Sequence, residues 1–188
     1  EFYGIWGSYD VKIKMDSAYT IAATGYLQNA DEIGKGYLAA GKSPKANSTN
    51  TLTWHFKVDS VHDFAWAADR DYQHDMVDGP NGMKIHFFYQ KSEKFEQGWK
   101  DFQPDIVKLF EVMNDKFGQY PYGTYSIIQG GDGGMEYPLA TLITGNRGAS
   151  SLLGVSVHEV IHSWYQMLLG TNESSYSWMD EGFTTFAQ

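Results

Sequence analysis

The sequence predicts an α+β fold in which antiparallel β structure precedes a domain that combines strands and helices. Three observations lead to this prediction. Early segments alternate apolar and polar residues, later segments carry apolar residues at helical spacing, and turns rich in glycine and proline separate them. The 188 residues, 42% of them hydrophobic, suffice for one good core or two small ones.

Strands are predicted throughout residues 1–75, which we interpret as the first domain. Two runs, 11–15 and 52–58, place an apolar residue at every second position, as expected for strands with one buried face. Residues 34–50 are rich in glycine, serine, asparagine and lysine, which is typical of a loop between strands.

The second predicted domain covers residues 76–188 and begins near a cluster of turn-forming residues at 78–82. Its predicted elements are a strand over 83–89, a helix over 92–117 that is interrupted or restarted at Pro104, strands over 124–129 and 137–144, a helix with Ser150 or Ser151 as its cap and Gly170 at its end, and a short helix from about Ser177.

The sequence His158-Glu159-Val160-Ile161-His162 lies within the penultimate predicted helix. Residues four apart on a helix lie one turn apart on the same face, so His158 and His162 can direct both imidazoles at one metal ion. Glu159 can then reach a water molecule on that ion. The alternative interpretation is that both histidines are hydrogen-bonded core residues and Glu159 is a surface carboxylate.

A second carboxylate favours the metal site. Eighteen residues separate His162 from Glu181, which lies in the last predicted helix. Catalytic zinc ions usually take three protein ligands and keep the fourth position for water, so Glu181 supplies the missing ligand. We therefore predict one zinc ion held by His158, His162 and Glu181, with Glu159 as the general base. Asp180 could hold a ligand by a hydrogen bond, or act through its charge at a helix N-terminus.

These residues resemble the signature of a known family. The pattern H-E-x-x-H, eighteen residues and then Glu is that of the gluzincin aminopeptidases, the aminopeptidase N-like family of zinc metallopeptidases. Residues 133–137 (GGMEY) are similar to that family's G-x-M-E-N element, and residues 117–122 (FGQYPY) look like its F-G-x-Y-P-Y stretch. The resemblance runs from about Val11 to the last residue and is strongest from Phe117 onward.

The resemblance implies a thermolysin-like metallopeptidase subdomain preceded by part of an antiparallel β domain. It also implies an aminopeptidase that hydrolyses the N-terminal peptide bond of a peptide by metal-activated water. Glu136 would then bind the free α-ammonium group of the substrate. Gly133, Gly134 and Met135 would lie along the substrate backbone, because glycines permit the close approach needed for pairing with an edge strand. The alternative is an ordinary glycine-rich hairpin with a solvated Glu136.

The sequence departs from the family pattern in three places. Tyr137 replaces the family's asparagine, and Gln188 stands where the family commonly has an acidic residue. The family's transition-state-stabilising tyrosine lies several tens of residues beyond the third ligand, past the last residue of this chain, so no tyrosine here is assigned that role. The chain also begins at Glu1 without a methionine, so we expect a fragment of a larger protein that is poorly active or inactive alone.

Two other functions would use much of the same pattern. A thermolysin-like endopeptidase would keep the zinc ligands and Glu159 but would need no amine anchor. A non-catalytic scaffold would have no use for the general base, so an intact Glu159 argues against it.

Composition excludes other classes. A net charge of −9, with no cluster of lysine and arginine, argues against a nucleic-acid partner. No apolar run approaches the ~18 residues of a membrane span.

Overall fold

The computed structural model describes residues 4–46, 49–131 and 133–188. Residues 1–3 of the first predicted domain and Asp132 of the glycine-rich segment lie outside this description. Helices account for 32% and strands for 34%, so the predicted combination of α and β structure is confirmed.

Two small antiparallel sheets form the N-terminal part of the structure. Their elements are β1 (Gly7–Asp16), β2 (Thr20–Ala23), β3 (Tyr26–Leu27), a one-turn helix α1 (Ala30–Ile33), β4 (Thr51–Val61) and β5 (Trp66–Asp69). One sheet has the order β1-β4-β3, and β2 pairs with β5. The predicted runs 11–15 and 52–58 lie in β1 and β4, where Met15 pairs with Leu52. These two strand predictions are confirmed.

A five-stranded mixed sheet follows. Its elements are β6 (Tyr72–Asp78), a 3₁₀ turn (Pro80–Gly82), β7 (Lys84–Gln90), β8 (Thr124–Gly130), β9 (Gly134–Tyr137) and β10 (Ala140–Thr144). The order is β6-β7-β8-β10-β9, with β7, β8 and β10 parallel to one another and β6 and β9 antiparallel at the two edges. The predicted boundary between residues 75 and 76 falls inside β6, and it remains a prediction.

The predicted strand over 137–144 is in fact the end of one strand, a tight turn and a second strand. Tyr137 is the last residue of β9, and Pro138 and Leu139 form the turn, with Leu139 at φ +58°. Proline favours the first central position of such a turn, and a positive φ at the second completes it. The Leu139 carbonyl accepts a hydrogen bond from the Ser126 amide at 2.9 Å, which fixes the turn against β8. The prediction of one continuous strand is wrong because it relied on the apolar composition of residues 137–144, which a hairpin can share.

The helices are α2 (Glu96–Asp101), α3 (Gln103–Phe117), α4 (Ala149–Tyr165), α5 (Glu173–Tyr176), a 3₁₀ turn (Ser177–Met179) and α6 (Glu181–Ala187). The predicted interruption is confirmed, because α2 ends before Phe102 and Pro104 lies in the first turn of α3. The N-cap of α4 is Gly148, so the predicted serine cap is wrong. The regular part of α4 stops at Tyr165, and irregular turns continue to Gly170, at φ +59°.

The core that positions α4 lies between the five-stranded sheet and helices α2, α3 and α4. The apolar face of α4 contributes Leu152, Val160, Ile161 and Trp164, which are buried against side chains from the sheet and from α3. The Trp164 indole also donates a hydrogen bond to the Gly118 carbonyl at 2.7 Å. These contacts hold α4 against β9 and β10.

Two hydrogen-bonded histidines connect the N-terminal part to the five-stranded sheet. His74 Nδ1 donates to the Lys35 carbonyl at 2.7 Å, so His74 Nε2 must accept the hydrogen bond from His86 Nδ1 at 2.9 Å. The Tyr37 ring packs on both imidazoles, at 4.5 and 5.5 Å between centroids. Burial lowers the pKa of His74 to about 4 and that of His86 to about 3. Both rings are therefore neutral, and a proton on His74 Nε2 would break the hydrogen bond between them.

We expect His74 and His86 to reduce the stability of the metal-free protein as the pH falls from about 6.5 to about 4.5, relative to a variant that lacks their hydrogen bond. In the unfolded chain both histidines take up protons near pH 6.5, whereas in the folded chain they do so only near pH 4 and pH 3. Because the unfolded chain binds more protons between these values, a falling pH favours unfolding at these two positions. The expected loss is on the order of 3 kcal/mol. Urea unfolding with a zinc chelator present measures it. His74→Gln should remove part of this pH-dependent loss, and a pH dependence equal to that of the unmodified protein would contradict this explanation.

Candidate metal centre

Helix α4 presents its two histidines to the same point. The imidazoles of His158 and His162 lie one turn apart, and their Nε2 atoms are 3.2 Å from each other. His162 is fully buried, whereas about a quarter of the His158 side chain is exposed. The spacing predicted from the sequence therefore brings both rings together.

The third predicted ligand lies beside them. Glu181 is the first residue of α6, and its Oε2 lies 3.2 Å from His158 Nε2 and 3.6 Å from His162 Nε2. Ligands at about 2.0–2.1 Å from a tetrahedral zinc ion lie about 3.3 Å apart. The three separations match that edge length, so these residues fit a zinc ion without rearrangement of the backbone.

Each histidine is also contacted at its other ring nitrogen. His162 Nδ1 lies 2.5 Å from Asp180 Oδ1 and 3.2 Å from Thr184 Oγ1, and both partners are buried. His158 Nδ1 lies 3.2 Å from Gln188 Oε1. Acceptors at Nδ1 fix the tautomer that leaves Nε2 free to bind a metal. Of the two roles considered for Asp180, the structure shows the hydrogen bond to a ligand.

Burial and the Asp180 contact act in opposite directions on His162. Burial is the largest single effect and lowers the pKa of the imidazole, but the hydrogen bond to Asp180 and the negative charges of Glu136, Asp180 and Glu181 together outweigh it, so the pKa is raised. The sequence analysis missed the contributions of Thr184 and Gln188 to the site. Thr184 lies on α6 and Gln188 directly follows that helix, three and seven residues after Glu181, a spacing that returns to the same helical side and was the available signal.

Glu159 lies on the inner side of α4, against strand β9. It is only 5% exposed, and a Cβ atom on Gly134 would lie 2.0 Å from its Oε1. Any side chain at position 134 would therefore displace the carboxylate. Burial, reinforced by the charge of Glu136, raises the pKa of Glu159 to about 8. A carboxyl group with this pKa can exchange a proton near neutral pH.

Strand β9 carries the other predicted site residues along the free edge of the five-stranded sheet. Gly134 and Glu136 face the same side of the strand, and Met135 and Tyr137 face the other, because side chains alternate. Glu136 is buried, which raises its pKa. One of its carboxylate oxygens lies within 4.8 Å of a ring nitrogen of His162 and a carboxylate oxygen of Asp180. Gly133, at φ +48°, precedes the strand with open space around it. The structure therefore places Gly134 and Glu136 beside the predicted metal ligands, with Met135 between them in β9 and Gly133 directly before the strand.

Comparison with known proteins agrees with this geometry. Human aminopeptidase B is 34% identical over 90 residues, which are 44% of this chain and 14% of that protein. Leucine aminopeptidase 2 of Candida glabrata is 26% identical over 180 residues, covering 91% of this chain and 26% of that protein. A crystal structure of an M1 zinc metallopeptidase from Deinococcus radiodurans superposes with a TM-score of 0.70 at 16% identity, covering 96% of this chain and 39% of that one. The chain is similar to the M1 zinc aminopeptidases. The predicted resemblance is thereby confirmed.

The M1 relationship comes from individual proteins, since no family model matches the chain. The chain spans 14%, 26% and 39% of the lengths of these three proteins. A second structure of the Deinococcus M1 enzyme, bound to a Tyr-Ser-Ala substrate, superposes with a TM-score of 0.64. Among the residues that the structure describes, no helix is long and apolar enough to cross a bilayer.

Proposed function

We propose that this chain carries the zinc site of an aminopeptidase that hydrolyses the N-terminal peptide bond of peptides. In this proposal, residues 76–188 are the first part of a thermolysin-like catalytic domain, and residues 1–75 are the last part of an N-terminal β domain. One zinc ion is bound by His158, His162 and Glu181.

The spacing of the three ligand atoms, 3.2, 3.2 and 3.6 Å, is the observation that carries the proposal. It fits a tetrahedral ion with one position left for a non-protein ligand. Bound zinc supplies a Lewis acid, which polarises the scissile carbonyl and lowers the pKa of water. The donor set of two imidazoles and one carboxylate suits zinc, since zinc accepts both nitrogen and oxygen ligands.

Glu159 is placed to act as the general base. It follows a ligand directly in α4, and its carboxylate lies between that helix and Gly134 on β9. In its ionised form the carboxylate accepts the proton of the attacking water, and it then gives that proton to the amine of the leaving peptide.

Glu136 is placed to recognise the amino terminus of the substrate. It is two residues from Gly134 on the same side of β9, so it faces the region next to Glu159. The free edge of β9 can pair with an extended peptide, and Glu136 then accepts hydrogen bonds from the α-ammonium group. An amino terminus fixed there places the first peptide bond at the zinc site. The Tyr-Ser-Ala substrate bound by a mutant of the Deinococcus metallopeptidase supports a short peptide as the substrate class.

The proposal is tested by comparing one tripeptide with a free and an acetylated N-terminus as substrates of the full natural chain. We expect cleavage of the free peptide alone. Acetylation removes the charge that Glu136 binds, and an interaction of this type contributes about 1.5–3 kcal/mol, or roughly 10- to 100-fold in kcat/KM.

The matched variant is Glu136→Gln. It should lower kcat/KM for the free peptide and bring the kcat/KM values of the free and acetylated peptides closer together. Equal cleavage of both peptides by the unmodified protein would indicate an endopeptidase instead. Failure to cleave any of a panel of free peptides, with zinc bound, would favour the scaffold interpretation.

A further inference from the structure

The two histidine ligands are held by chemically different partners. His162 Nδ1 contacts the carboxylate of Asp180 at 2.5 Å, whereas His158 Nδ1 contacts the amide oxygen of Gln188 at 3.2 Å. A carboxylate carries a negative charge and an amide does not, so the first hydrogen bond is charge-assisted and the second is not. The Thr184 hydroxyl adds a further contact to His162 Nδ1, at 3.2 Å.

The two histidines also differ in solvent exposure, with His162 in the buried half of the site and His158 in the exposed half. The side chains of His162 and Asp180 are 1% and 2% exposed, whereas those of His158 and Glu181 are 26% and 61% exposed. Electrostatic contacts are stronger where water is excluded. The charged acceptor, Asp180, therefore also lies where water is excluded, which strengthens its hydrogen bond further.

A hydrogen-bond acceptor behind a metal-binding imidazole orients the ring and increases its basicity. A negatively charged acceptor does this more than a neutral one, because it stabilises positive charge on the ring and the ion. His162 should thus be the stronger zinc ligand and His158 the weaker one.

We propose that Gln188 makes His158 the exchangeable ligand of the zinc site, while Asp180 makes His162 its anchor. Zinc enters and leaves on the side of His158 and Glu181 and stays bound to His162 longest. Gln188 is a positioning residue in this scheme, since it acts through His158. The inference rests on the proposed zinc site and extends it to how firmly the ion is held.

The test exchanges the neutral acceptor for a charged one. Gln188→Glu in the full natural chain should bind zinc about 10-fold more tightly, because contacts of this type change metal affinity by about 10- to 100-fold. The affinity is measured by competition with a chromophoric chelator, and the zinc dissociation rate by rapid mixing with excess chelator. We expect dissociation to slow by a similar factor. Neither measurement requires turnover.

Two further variants control the interpretation. Thr185→Glu places the same charge on an exposed position of α6, so it reports the effect of charge without the hydrogen bond. The reverse exchange, Asp180→Asn, gives His162 an amide partner and should weaken zinc binding by at least about 10-fold. Circular dichroism and urea unfolding establish that each variant is folded.

The outcomes separate the inference from the proposed function. Tighter binding and slower release in Gln188→Glu, with little change in Thr185→Glu, is the expected result. Zinc binding that is unchanged or weaker in Gln188→Glu, or equally tightened in Thr185→Glu, would overturn the inference and leave the zinc site intact. Absence of zinc binding by the unmodified protein would overturn the proposed function and the inference with it.

Discussion

Glu159→Gln is expected to abolish peptide hydrolysis while leaving one zinc ion bound. Glutamine fills the space between α4 and Gly134 as glutamate does, but its amide cannot accept the proton of the attacking water. General bases contribute about 100- to 10,000-fold, so kcat should fall by about a thousandfold. The zinc ligands are unchanged in this variant, so the metal content should stay the same.

The measurements are kcat on a tripeptide with a free N-terminus and zinc content by plasma mass spectrometry, both on the full natural chain. Glu111→Gln is the matched control, because Glu111 lies on the exposed side of α3 and pairs only with Lys108 among the described contacts. It should retain wild-type values. Undiminished turnover by the Glu159 variant would rule out the proposed mechanism.

His162→Ala should lose zinc and also lose stability. It removes the buried ligand, and it leaves the Asp180 carboxylate buried without its imidazole partner. Removing one member of a buried charged pair costs about 3–5 kcal/mol. Zinc affinity should fall by at least about 100-fold, since the remaining two ligands no longer enclose the ion.

Chelator competition gives the zinc affinity, and urea unfolding of the metal-free protein gives the loss of stability. His158→Ala is the informative comparison. It also removes a ligand, but His158 is partly exposed and its partner is a neutral amide, so the metal-free protein should lose much less stability. Equal destabilisation by the two substitutions would contradict the difference in burial and partners described for them.

Local sequence patterns predicted the elements that hold the site because those patterns depend on neighbours in the chain. Alternation in 52–58 predicted a strand, and the four-residue spacing of His158 and His162 predicted one helical face. The run over 137–144 failed as a prediction because buried strands and hairpins can share the same apolar composition. Pro138, which favours the first central position of a turn, was the sequence signal for the hairpin, and the positive φ at Leu139 completes that turn.

Within the site, residues that carry metal-binding chemistry could be predicted, but their partners could not. Glu181 is recognisable because a zinc ligand must be a carboxylate, imidazole or thiolate. Thr184 and Gln188 are ordinary polar residues, so their chemical type alone did not indicate a role beside a metal ligand. Their contacts form because α6 packs against α4, and this packing belongs to the tertiary structure, which local sequence patterns do not reveal. The closeness of Gly134 to Glu159 is likewise invisible until β9 is placed beside α4.

X-ray absorption at the zinc edge of the zinc-loaded full natural chain tests the central claim most directly. The account predicts one zinc ion with two imidazole ligands at about 2.0–2.1 Å and oxygen ligands completing a four-coordinate shell. Replacing either His158 or His162 should remove one imidazole contribution or the metal itself. A shell of oxygen ligands alone, or an imidazole count that does not respond to these substitutions, would contradict it.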